Sequence, residues 1–172
     1  MNGNAHRLFG AASWVTVSAT MGLPGWQTAA GVIPAVAFSA GPTSPDIDNT
    51  RTWKRLDRWI PDELLGDGGP LGHRQFLHWI GLPIIGAWVV WHFAAGTPLT
   101  WAAYAAIVGW ASHIVSDAVY GQGGYGTAQG VPLGPWFWHF GLGFKSDGLA
   151  QHLTILPISL GMVWVALGHP GA

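Results

Sequence analysis

The sequence contains no cysteine, which excludes disulfides and thiolate ligands together and leaves any bound metal to nitrogen and oxygen donors. Charge is scarce as well: Asp, Glu, Lys and Arg make up 9% of the 172 residues, against about 25% in an ordinary globular protein. So few charges do not easily coat a soluble surface. Those present are also unevenly spread, with six of the eight acids and four of the seven bases between Asp46 and Asp67. A formal net charge of −1 supplies no basic patch, so no nucleic-acid partner is expected. Neither an internal repeat nor a coiled-coil heptad is visible.

What fills the chain instead is apolar and aromatic. Hydrophobic residues make up 49%, with 12 Trp, 26 Gly and 12 Pro, a mixture suited to membrane spans with aromatic anchors at the interface. The length predicts one domain, residues 1–172. Leu8 to Met21 and Trp26 to Ala40 flank the turn Gly22-Leu23-Pro24-Gly25 and predict a tight hairpin, each arm shorter than the roughly 20 residues of a full span. Small residues in both arms, Gly10 and Gly31 among them, allow backbones to approach closely, and Pro34 predicts a kink. Phe76 to Ala95, Leu99 to Val119 and Leu149 to Gly168 supply three further apolar helices. Between these segments, Arg51 to Trp59 has the spacing of an amphipathic interfacial helix, and Trp136 to Phe140 reads as an interfacial or re-entrant element. Met1 to Arg7 precedes an apolar stretch much as a signal peptide begins, but a second apolar stretch follows and His6 fits the set below, so the segment is expected to stay. The expected fold class is all-α, a polytopic helical membrane bundle of about five apolar helices with a metal site at one membrane face.

Following five crossings from His6 gathers the ionisable residues. Asp46, Asp48, His73, His78, His113, Asp117 and His152 all fall on the face where His6 starts, whereas His92 and His169 fall on the other. The bases Arg7, Arg51, Lys54, Arg55, Arg58, Arg74 and Lys145 share that first face, which the positive-inside rule makes cytoplasmic.

Three short motifs carry the chemistry. In Trp110 to Asp117, His113 and Asp117 stand four residues apart, neighbours on one helix face and able to reach one cation; a mutually satisfied buried His–Asp pair is the structural alternative. Pro45-Asp46-Ile47-Asp48 offers two carboxylates in a turn, one as ligand and the other as general base, with an Asx-turn or helix N-cap as the alternative. Which Asp takes which role stays open at this stage. Gly72-His73-Arg74-Gln75-Phe76-Leu77-His78 holds two His that both point inward if a helix begins at Arg74 or Gln75, and Arg74 is then placed to hold an anionic substrate oxygen. His152 opens the last apolar segment near Asp147 and is a candidate ligand for a second metal, while His139, set among Trp and Phe, reads as an interfacial anchor.

A His near the start, Pro-Asp-x-Asp, His-Arg-x-x-x-His and Ser-His-x-x-x-Asp, in that order, resembles the YdjM family of bacterial membrane-bound metal-dependent hydrolases over roughly residues 5 to 135. The resemblance implies site roles for His6, Asp46, Asp48, His73, Arg74, His78, His113 and Asp117, and a multi-pass protein of the bacterial inner membrane. The family's His-Arg-Gly-x-Thr-His-Ser is altered here, with Gln75, Leu77 and Trp79 in place of Gly, Thr and Ser, which changes the expected substrate pocket more than the ligands. The ligand order is also similar to that of the zinc-dependent phospholipase C and single-strand nuclease superfamily, which implies phosphoester hydrolysis.

The expected chemistry is attack by metal-activated water. Zinc suits imidazole and carboxylate ligands best, with manganese or iron also compatible. Asp46 or Asp48 is the expected base, Arg74 the expected stabiliser of phosphoryl charge, and the substrate a small-molecule or lipid phosphoester at the bilayer. Three other readings compete: a non-catalytic metal-binding membrane scaffold, a soluble helical hydrolase, and a metal transporter. A transporter wants ionisable groups near mid-span, whereas here they gather at one end.

Overall fold

The computed structural model describes residues 3–49, 59–65, 75–120, 122–125, 131–132, 138–143 and 148–168. Five long helices stand out among them: α1 (Gly3–Thr20), α2 (Gly25–Ser39), α3 (Gly81–Val89, continued by a π turn over Val90–Ala94), α4 (Thr100–Tyr120) and α5 (Gly148–Gly168). Single helical turns lie at Pro45–Asn49, Asp62–Leu65 and Phe76–His78. The expected hairpin is present, with Gly22 at φ +66° in its turn, where a side chain would be strained. Pro34 lies inside α2. The proposed interfacial helix at Arg51 to Trp59 lies outside the described residues apart from Trp59.

The centre is a three-helix contact of α1, α2 and α4, with α5 laid against α1 and α3 against α4. Trp14, Ala35 and Ala105 form its buried core. Trp14 Nε1 donates to the Thr28 carbonyl at 2.8 Å, so its one polar atom is satisfied where the ring is buried. Glycines set how near the helices come. A Cβ on Gly109 would stand 2.1 Å from the Ala35 carbonyl oxygen, and one on Gly10 would stand 2.6 Å from Ser39 Cβ. Both glycines therefore work by close approach to α2, the way small residues let helices pack.

Two differences from the sequence expectation stand out. The all-α class is incomplete, because part of the Gly-rich, aromatic stretch forms a three-stranded antiparallel sheet rather than a re-entrant element. Its strands are β1 (Gln122–Tyr125), β2 (Val131–Pro132) and β3 (Trp138–Leu142), in the order β1-β3-β2. Glycine breaks helical periodicity there, and the strands pair over a distance that no local pattern reveals. The second difference concerns length: among the described residues no helix is long and apolar enough to cross a membrane. The segment expected from Phe76 to Ala95 is split into a 3₁₀ turn, a nine-residue helix and a π turn, and α4 carries Ser112, His113, Ser116 and Asp117 in its last turns. The outward faces are nonetheless apolar, with Ile33 on α2, Ile84, Trp88 and Phe93 on α3 and its π turn, and Leu160 and Trp164 on α5 all exposed. Exposed apolar side chains on several helices suit contact with a membrane or another protein.

The glycine contacts make a test of opposite signs. Gly109→Ala forces the α2 and α4 backbones apart and is expected to lower stability by about 1–3 kcal/mol. Gly86→Ala meets only Ile107 at 3.6 Å, an ordinary contact, and should leave stability unchanged or raise it by up to about 1 kcal/mol through helix propensity. Thermal melts of both variants in detergent check the pair; equal effects would refute close approach as the reason for Gly109.

Candidate metal centre

The hairpins bring four chain segments to one end of the bundle. His6 lies in the first turns of α1, Asp46 in the 3₁₀ turn after α2, His78 in the turn before α3, and His113 and Asp117 in the last turns of α4. Each helix places its ligand one turn from its close contact. On α4, Gly109 and His113 are four residues apart and share a face; on α2, Ala35 and Ser39 do the same, so contact at Gly109 and Ala35 sets His113 against Ser39. On α1, Gly10 meets Ser39 and His6 is again four residues away.

The distances fall into two groups. Hydrogen bonds around the site are short: His113 Nδ1 donates to the Ser39 carbonyl at 2.8 Å, Ser116 Oγ donates to the His113 carbonyl at 2.7 Å, and Ser116 Oγ lies 2.7 Å from His6 Nδ1. The ring and carboxylate atoms facing the centre are all farther apart. His78 Nε2 is 3.3 Å from Asp46 Oδ1 and 3.5 Å from Asp117 Oδ2. His113 Nε2 is 3.6 Å from Asp46 Oδ1, 3.5 Å from Asp117 Oδ2 and 3.3 Å from His78 Nε2. All four atoms lie within 4.8 Å of one another.

A charge-assisted N–H to carboxylate bond closes to about 2.7–2.9 Å, and none of the four imidazole–carboxylate distances does. The edge of a tetrahedron is about 1.63 times the distance from centre to corner, so ligand bonds of about 2.0–2.2 Å give edges of about 3.3–3.6 Å. Five of the six edges among Asp46, His78, His113 and Asp117 have that spacing and the sixth is within 4.8 Å, so the four donors form a group that could hold a metal ion. The donor chemistry agrees. The Ser39 carbonyl can only accept, so His113 Nδ1 carries a proton, and in the neutral ring Nε2 is then a lone pair aimed at two carboxylates and a second imidazole. Such an arrangement needs positive charge between the rings and the carboxylates, supplied by a proton on Nε2 or by a metal ion. Ser39 O belongs to the last turn of α2, where helix carbonyls lack intrahelical donors, and His113 satisfies it while fixing its own tautomer, the usual part of a metal ligand's outer partner.

Three of the ligands are closed off and one is on the rim: His78, His113 and Asp117 are 0–1% exposed, Asp46 34%. The turn that presents Asp46 is fastened by Ser44, whose Oγ donates to the Gly41 carbonyl at 2.7 Å and accepts from the Asp46 N–H at 3.3 Å. Burial pushes the Asp46 carboxyl upward, but His113 and His78 beside it override that and hold it well below the usual carboxylate range.

Of the residues read from sequence, the structure brings His6, Asp46, His78, His113 and Asp117 together. His6 Nε2 is 3.4 Å from Asp117 Oδ1, and its ring stacks on His113 at 3.9 Å. His73 and Arg74 lie outside the described residues, as do the side chains of Asp48 and His152. His92 stands apart from the cluster, donating from Nδ1 to the Trp88 carbonyl at 2.9 Å. His139 is 1% exposed within β3 rather than an interfacial anchor. Sequence reasoning missed Ser39 and Ser116. Ser116 was findable, lying between His113 and Asp117 on the same helix; the Ser39 carbonyl carries no sequence signal.

A family model described as YdjM inner membrane protein matches residues 1–169. The chain belongs to the YdjM family. Membership agrees with the resemblance carried by the four motifs, and the family's description names an inner membrane protein, in keeping with the apolar exterior. No curated protein and no solved structure matches the chain.

The lowered Asp46 carboxyl gives a pH test. A carboxylate whose folded pKa is depressed contributes stability that is present above its unfolded pKa of about 3.9 and is lost as pH falls through the folded value. In chelator-treated protein, the stability difference between wild type and Asp46→Asn should stay level from pH 8 to 5 and shrink only below about pH 4. Melts across that range measure it; a difference that vanishes already by pH 5 would contradict the assignment.

Proposed function

We propose that the chain is a membrane-bound metal-dependent hydrolase, multi-pass in the bacterial inner membrane with its metal centre towards the cytoplasm, acting on a phosphoester by metal-activated water. The observation carrying this reading is the convergence of two imidazoles and two carboxylates, five of whose six mutual distances, at 3.3–3.6 Å, match the edge of a metal tetrahedron. Asp46, His78, His113 and Asp117 would hold the ion, two imidazoles and two carboxylates at a spacing that suits zinc. A divalent ion there lowers the pKa of bound water towards about 7 and polarises an ester oxygen.

The chain's own residues supply the rest. His78, His113 and Asp117 would fix the centre from inside the bundle, with Asp46 as the fourth ligand at the rim. Asp48, the carboxylate not bound, is the proposed general base and Arg74 the proposed partner for phosphoryl charge. The apolar exterior supports a bilayer location and a substrate reached from it, a small-molecule or lipid phosphoester.

One observation favours a second reading. Four protein donors fill a tetrahedron, as in structural zinc sites, whereas catalytic sites keep a position open. A metal-stabilised membrane scaffold would use the same four residues.

Elemental analysis and a phosphoester screen separate these. Detergent-purified wild type is expected to carry zinc that the His113→Ala, Asp117→Ala double variant loses, and to hydrolyse a phosphodiester or phosphomonoester at a rate that the double variant reduces by at least about 100-fold. Metal without hydrolysis would favour the scaffold. No metal in wild type, even after reconstitution, would sink both.

A further inference from the structure

The hydroxyl of Ser116 has one proton, and its place is settled by its neighbours. The His113 carbonyl 2.7 Å away can only accept, so Ser116 donates to it. The contact of 2.7 Å between Ser116 Oγ and His6 Nδ1 then requires the ring to be the donor. His6 is therefore the Nδ1–H tautomer, and in the neutral ring Nε2 is a lone pair. That lone pair faces Asp117 Oδ1 at 3.4 Å.

This repeats, on the other oxygen of the same carboxylate, what His113 does with Asp117 Oδ2. A second proton on His6 would close the contact towards 2.7–2.9 Å, and the observed 3.4 Å is the edge length seen around the four-donor centre. The His6 ring also stacks on His113, with ring centroids 3.9 Å apart and planes 14° from parallel.

We propose a second divalent transition-metal site in which His6 Nε2 and Asp117 Oδ1 are ligands and the Asp117 carboxylate bridges the two ions. The proposal rests on the four-donor centre described above and extends it. The first ion would have four protein donors and the second two from the described residues, a pairing in which one carboxylate serves both ions of a two-metal centre. Ser116 is a positioning residue, holding the His6 tautomer without touching either ion.

The test is metal binding rather than turnover. Full-length protein in detergent is stripped with chelator and titrated with Zn²⁺ alone, and bound zinc is counted for wild type, His6→Gln and Ser116→Ala. His6→Gln is expected to bind one equivalent fewer than wild type, and Ser116→Ala to bind the weaker ion about 10–100-fold less tightly while keeping the tighter one. If His6→Gln loses its fold, as a melt would show, Ser116→Ala carries the test alone. Unchanged stoichiometry and affinities in these variants, with zinc still bound, would overturn the second site and leave the four-donor centre standing. Absence of zinc from wild type would overturn both.

Discussion

The hydrogen bond from His113 Nδ1 to the Ser39 carbonyl ties the packing of this protein to its chemistry. It uses a carbonyl that the end of α2 cannot satisfy within the helix, and it decides which nitrogen of His113 faces the carboxylates. It forms only because α4 and α2 touch backbone to backbone at Gly109 and Ala35, one turn earlier. Moving the helices apart by the width of a methyl group would lengthen that bond and, with it, the distance from His113 to Asp46 in the turn that follows α2. Core packing and ligand geometry are in that sense one constraint.

The same logic explains why polar groups survive inside so apolar a chain. A buried carboxylate or imidazole costs several kcal/mol unless it is compensated, and the interior of the bundle offers little else to compensate it. The site residues solve this among themselves. Backbone carbonyls and Ser116 take up the outer ring nitrogens of His113 and His6, and the inner nitrogens and carboxylate oxygens are left to share positive charge.

Much of this was legible in the sequence, because it depended on local spacing. The hairpin about Gly22, the extents of α4 and α5, and the pairing of His113 with Asp117 all follow from apolar run length or the helical repeat. Gathering His6, Asp46 and His78 with them needed only the alternation of helix direction. What escaped was non-local: β1 and β2 pair with β3 across stretches that no periodicity announces, and α3 is shortened by turns that its apolar composition conceals. The Ser39 carbonyl escaped for a plainer reason, since every residue has one and only the fold says which is near an imidazole.

Asp46 differs from its partners in how it is held. Three ligands belong to packed interior segments, and the fourth hangs on a short turn fastened chiefly by Ser44. For an ion held among these four residues, the interior side chains would set how deep the well is, and the rim turn how often its door opens. An ion could stay bound at equilibrium yet trade places with solution on the timescale of a single loop, so that slow unfolding of the bundle would not be needed for the centre to be filled, emptied or refilled with another metal.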